Sequence, residues 1–84
     1  MLDWKPVLSS NLTRILYFKK RKLLVVQFKG ERIWLYVGVP LSVVKALLAA
    51  ESKGRYFNNH IRTNPRYPHQ EVTDRFYKML LLAA

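Results

Sequence analysis

The chain has 84 residues and half of them are hydrophobic, which fits one domain built around a core and excludes a disordered chain. It carries 15 Lys and Arg against 5 Asp and Glu, a formal net charge of +10, so its expected partners are polyanionic. No cysteine is present, which excludes a disulfide framework and a thiolate metal site and suits a reducing compartment such as the cytoplasm.

In chain order, residues 1–8 contain Pro6 and read as an arm, with Trp4, Val7 and Leu8 available for docking. They lack the basic segment and apolar run of a signal peptide. Ser9-Ser10-Asn11 is a turn signal. Three apolar runs of strand length follow: Thr13–Phe18, Leu23–Phe28 and Ile33–Val39, each rich in β-branched or aromatic residues. The breaks between them, Lys19–Lys22 and Lys29–Arg32, are short enough to make antiparallel hairpins. Pro40 ends the third strand and suits the first turn of a helix. Leu41, Val44, Leu47 and Leu48 then recur at helical spacing.

Ser52–Arg62 reads as a second short helix. Ser52 suits the N-cap, and Phe57 and Ile61, four apart, share a face that docks on a core. Gly54 disfavours a helix interior, but in a first turn it leaves the backbone N–H groups open to an anion, beside Lys53 and Arg55. Asn64-Pro65 and Tyr67-Pro68 enforce a non-helical connection. Beyond it, Val72, Phe76, Met79 and Leu80 fall on one face of a candidate C-terminal helix in residues 70–84. The expected class is α+β: a three-stranded antiparallel meander, two short helices, and a C-terminal helix packed on the sheet. No stretch has the length of a bilayer span, and no membrane partner is expected.

The order of residues resembles the KTSC domain, a module found at the C-terminus of some lysyl-tRNA synthetases and in small bacterial and phage-type proteins. The resemblance covers about residues 9–68. It is carried by Ser9-Ser10-Asn11-Leu12, Trp34-Leu35-Tyr36 in place of a Tyr-X-Tyr, Val39-Pro40 and Leu47–Ala50. Ser52-Lys53-Gly54, Tyr56-Phe57-Asn58, His60 to Arg62 and Arg66-Tyr67-Pro68 complete it. By analogy with its company in the synthetases, it implies RNA binding. The chain departs from the family pattern in Trp34, in the inserted Thr63-Asn64-Pro65 and in the wholly basic Lys19–Lys22 turn. It also carries apolar Leu16, Phe18, Leu23, Val25 and Leu35 where one sheet face is usually polar. Lost alternation means that both faces of the sheet are buried. The C-terminal helix is then the expected cover, within one chain or between two copies.

Catalysis is not expected. His60 and His69, with Glu71, have no fixed spacing on a common element, the acids are scattered, and no phosphate-binding glycine loop or nucleophile elbow is present. No metal or other cofactor is implied. Basic residues interleaved with aromatics carry the stronger signal. The candidate nucleic-acid or anion ligands are Lys19, Lys20, Arg21, Lys22, Ser52, Lys53, Gly54, Arg55, Arg62 and Arg66. The candidate stacking rings are Trp34, Tyr36, Tyr56 and Tyr67. Trp34 and Tyr36 share one sheet face, and aromatics on a helix-covered sheet read more readily as core than as stacking surface. Three functions fit. The first is RNA or other nucleic-acid binding through phosphate contacts and stacking. The second is interaction with an acidic protein, such as inhibition of a host protein by a mobile element. The third is binding of a small phosphorylated or nucleotide ligand.

Overall fold

The computed structural model describes residues 5–7, 11–30, 32–73 and 75. Five antiparallel strands form one sheet in sequence order: β1 Lys5–Pro6, β2 Leu12–Phe18, β3 Leu23–Phe28, β4 Ile33–Val37 and β5 His69–Glu71. The three central strands are the expected meander. Two short strands add to its edges. Part of the expected N-terminal arm is β1, paired Lys5 to Ile15, and Pro6 is tolerated because an edge strand has one unpaired side. Residues His69–Glu71, whose start was expected to be linker and whose end helix, form β5 with Tyr36 opposite His69 and Trp34 opposite Glu71. Of the expected C-terminal helix, Phe76, Met79 and Leu80 lie outside the described residues.

Strand β4 stops at Val37, two residues earlier than expected. Gly38 has φ +82, a left-handed conformation that a side chain disfavours, and it turns the chain out of the sheet. Gly38 and Val39 both donate backbone N–H bonds to the Lys22 carbonyl at 2.9 Å. Pro40 then occupies the N-cap of helix α1, Leu41–Ala49. Helix α2, Lys53–Phe57, has Ser52 as its N-cap, with the Arg55 N–H donating to the Ser52 hydroxyl. The helix expected over 52–62 is not uniform. From Asn58 to Arg62 it widens into a π-helical turn. Phe57 and Ile61 remain fully buried across the change.

The main core lies between the sheet and the helices. Leu24, Val26 and Tyr36 from the sheet meet Val44, Leu47, Phe57 and Ile61. The opposite sheet face is apolar as well, with Leu16, Val25 and Leu35 buried and Val72 packed among them. Strand parity explains the division: Val25 pairs with Leu35 on one face, and Val26 with Trp34 on the other.

Candidate functional site

Arg32 directly precedes β4, and Trp34 and Tyr36 follow it at a spacing of two, so extended backbone turns these three positions toward one face. The pairing of β5 brings His69 beside Tyr36 on the same face. The π-helical turn supplies the opposite wall. Its last residue, Arg62, lies close enough to Tyr36 for the guanidinium charge to favour ionisation of the phenol, while burial acts more strongly the other way and raises its pKa. Between these walls is a cavity of about 370 Å3 lined by Phe28, Arg32, Trp34, Tyr36, Arg62, Thr63 and His69. A second, shallower hollow shares Arg62, Thr63 and His69 and continues to Tyr67 and Pro68. Together they make one groove across the β4–β5 face.

The floor of the groove is a connected set of rings. Phe28 meets Phe57 edge-on at 5.5 Å between centroids, and Phe57 meets Tyr36 edge-on at 5.2 Å. His69 stacks on Tyr36 at 5.5 Å and tilts against Trp34 at 5.4 Å. Tyr36 and Phe57 are core residues, which anchors the more exposed rings. The expected ambiguity over the aromatic pair therefore divides: Tyr36 is core, and Trp34 is half-buried at the cavity.

The groove's charge is positive. Arg32 and Arg62 are both exposed. Arg32 Nε lies 3.8 Å from Glu71 Oε2, with both side chains well exposed, an ion pair of small energetic value. Arg62 Nη1 donates a long hydrogen bond of 3.5 Å to Asn58 Oδ1. The Thr63 hydroxyl donates to the Asn58 carbonyl at 3.1 Å. These contacts place the two guanidinium groups without neutralising both.

Of the other expected ligands, the basic turn Lys19–Lys22 is fully exposed, and Lys22 adopts φ +53. Its carbonyl binds Gly38 and Val39, while the Pro68 carbonyl accepts from Val37 at 2.9 Å. The backbones of the basic turn and of the segment after Arg66 thus both abut residues 37–39. Arg66 is exposed, and its N–H donates to Asn64 Oδ1 at 2.9 Å. The Ser52, Lys53, Gly54 and Arg55 group does not line the groove. Gly54 is buried and the Arg55 N–H is occupied by Ser52, so the first turn of α2 does not offer the open N–H groups expected of an anion seat. Tyr56 pairs with His60 at 4.3 Å, and Tyr67 packs on the core and lines the shallower hollow.

Sequence reasoning missed Phe28, Arg32, Thr63 and His69. Parity along β3 and β4 carries a signal for the first two, since Leu24, Val26 and Phe28, like Arg32, Trp34 and Tyr36, alternate toward the helix side. His69 carries no such signal, because a strand of three exposed residues has no apolar pattern. Among the described residues, no group of three or more His, Cys, Asp or Glu side chains is arranged to hold a metal ion. No helix among them is long and apolar enough to cross a membrane.

Comparison with known proteins places this geometry. The family model of the KTSC domain matches residues 8–67. An uncharacterised protein of Stutzerimonas stutzeri is 42% identical over 50 residues, covering 60% of this chain and 70% of that one. A protein of Tsukamurella paurometabola is 38% identical over 63 residues, covering 75% and 91%. The crystal structure of a KTSC domain protein from Yersinia pestis superposes with a TM-score of 0.78 at 27% identity, covering 87% of this chain and all of that one.

Proposed function

This chain belongs to the KTSC domain family, and we propose that it is a nucleic-acid-binding module whose ligand is single-stranded RNA. The observation that carries the reading is the groove itself, a floor of anchored rings with Arg32 and Arg62 on its walls. Single-stranded nucleic acid offers the two chemistries that such a surface answers, a run of phosphates and a series of planar faces. Phosphate contacts supply affinity and release counterions; ring contacts add stacking energy that tolerates any base. The net charge of +10 supports long-range attraction of the same ligand.

Titrating a labelled single-stranded RNA with the full chain at a series of salt concentrations tests this. The logarithm of the affinity should fall linearly with the logarithm of salt. Arg32→Gln and Arg62→Gln should each weaken all sequences alike and reduce the slope by about one. Absence of RNA binding at low salt would end the proposal. A salt-tolerant complex with one acidic protein in its place would favour the interaction-module reading.

A further inference from the structure

We infer that the cavity beside β4 seats one unpaired base, stacked on the exposed part of Trp34, with the phosphates on either side of it held by Arg32 and Arg62. This rests on the RNA-binding reading and adds that recognition requires a base free of a duplex.

Size, rigidity and charge each point to that occupant. The volume, about 370 Å3, lies in the range of small-ligand cavities, about 300–1,000 Å3. It is too small for a folded element and suited to a single planar group with its attachment. The rings that would receive the base are already fixed by contacts of 5.2 to 5.5 Å running back to Phe57 in the core, so little ordering accompanies binding. Trp34 is only half-buried although the β3 and β5 strands flank it on both sides, which leaves ring surface for a ligand.

Charge distinguishes a nucleotide from an apolar side chain. Arg32 approaches along β4 and Arg62 from the π-helical turn, so cations lie on two walls of one ring-floored cavity. Among the described residues the ionic partner of Arg32 is the exposed Glu71, and a phosphate can replace that carboxylate by a charge-assisted pair of at least equal strength. The Thr63 hydroxyl hydrogen is committed to the Asn58 carbonyl. Toward a ligand that oxygen can therefore act only as an acceptor, as a base N–H or a ribose hydroxyl would require. Nothing in this set distinguishes one base from another strongly, because every base has a stacking face.

Duplexes are disfavoured by the same geometry. A paired base has both faces stacked, so reaching Trp34 demands its extrusion, which costs a few kcal/mol.

The experiment compares three oligonucleotides of equal length on the full, unmodified chain: single-stranded RNA, the same backbone with abasic sugars, and the RNA duplex. All carry the phosphates, so electrostatics alone favours the duplex or leaves them similar. A seated base predicts that the single strand binds roughly tenfold or more tightly than the abasic strand. It also predicts that Trp34→Leu abolishes that difference while keeping the salt slope, with a circular-dichroism melt establishing that the variant is folded. The abasic comparison needs no substitution, so it decides the matter even if Trp34→Leu fails to fold. Equal affinity for the single strand and the abasic strand, with a steep salt dependence, overturns the base seat and leaves the RNA-binding reading standing. Tighter binding of the duplex also overturns the base seat. No binding to any of the three overturns both.

Discussion

Tyr17 shows how one side chain joins the sheet to the segment that launches the helices. Its hydroxyl donates to the Val39 carbonyl at 2.6 Å, just where the chain has left β4 and is about to start α1. Tyr17→Phe leaves the packing and removes that bond, so the expected cost is about 1 kcal/mol, read as a lower urea midpoint with unchanged slope. Burial raises the Tyr17 pKa above its ordinary value. The folded state therefore favours the neutral phenol. Its contribution to stability is complete below about pH 10 and is lost as pH rises through the higher folded value. As pH rises above about 10 the parent should lose more stability than Tyr17→Phe; parallel losses in the two proteins would show that this phenol carries no such contribution. At this same scale the candidate site was partly legible in the sequence. Arg62 and Trp34 were identifiable as a cation near rings, but Gly54 was misleading. A glycine in a first turn is consistent with anion access or with close packing, and only the fold decides; here it is buried. His69 was invisible because its role comes from pairing across the sheet with Tyr36, and nothing local to His69-Gln70-Glu71 announces a strand.

Among the elements, the sheet has the most consequential property, an apolar surface on both sides. Leu16, Val25 and Leu35 are 3%, 0% and 5% exposed on the face away from the helices. Val72, immediately after β5, packs with them. Burial of such side chains is worth about 1.5–3 kcal/mol each, against a total stability of about 5–15 kcal/mol for a domain. A chain ending at Gln70 loses Val72 together with the apolar Phe76, Met79 and Leu80 of the sequence. It should aggregate or melt well below the parent, seen by size-exclusion chromatography and a thermal melt. If it elutes as a stable monomer, residues 71–84 contribute nothing to that face. The three central strands and both helices were legible in the sequence because strand-length apolar runs, Pro40 and the Ser52 cap are local signals. The two edge strands were not. Each is two or three exposed residues, held by hydrogen bonds to a neighbour rather than by a pattern of its own. The π-helical turn was also hidden, since Phe57 and Ile61 are four apart in either kind of helix.

For the whole molecule, what matters is how the excess charge is distributed relative to the groove. Lys19, Lys20, Arg21 and Lys22 form an exposed turn whose backbone lies against residues 37–39, at the far end of β4 from Arg32. The Pro68 carbonyl binds the same stretch at Val37, and Pro68 lines the shallower hollow of the groove. A strand of five residues such as β4 spans roughly 17 Å. A backbone following the groove from Arg32 past Arg62 would therefore leave it near the basic turn. Replacing Lys19, Lys20 and Arg21 with Gln, and Lys22 with Asn, should leave the melting temperature within about 1–2 °C, since these side chains are exposed and Asn tolerates the left-handed backbone at position 22. RNA affinity should nevertheless fall for all sequences alike, and the salt slope should shrink by up to about four. The preference for single strand over abasic strand should persist, because the turn would meet phosphates alone and does not line the proposed base seat. If the quadruple variant keeps the parent's affinity and slope, the RNA path does not cross the turn, and its four cations serve only to keep a basic protein soluble. If slope and base preference fall together, the groove and the turn do not act as separate parts, and the division of labour between phosphate contact and stacking fails.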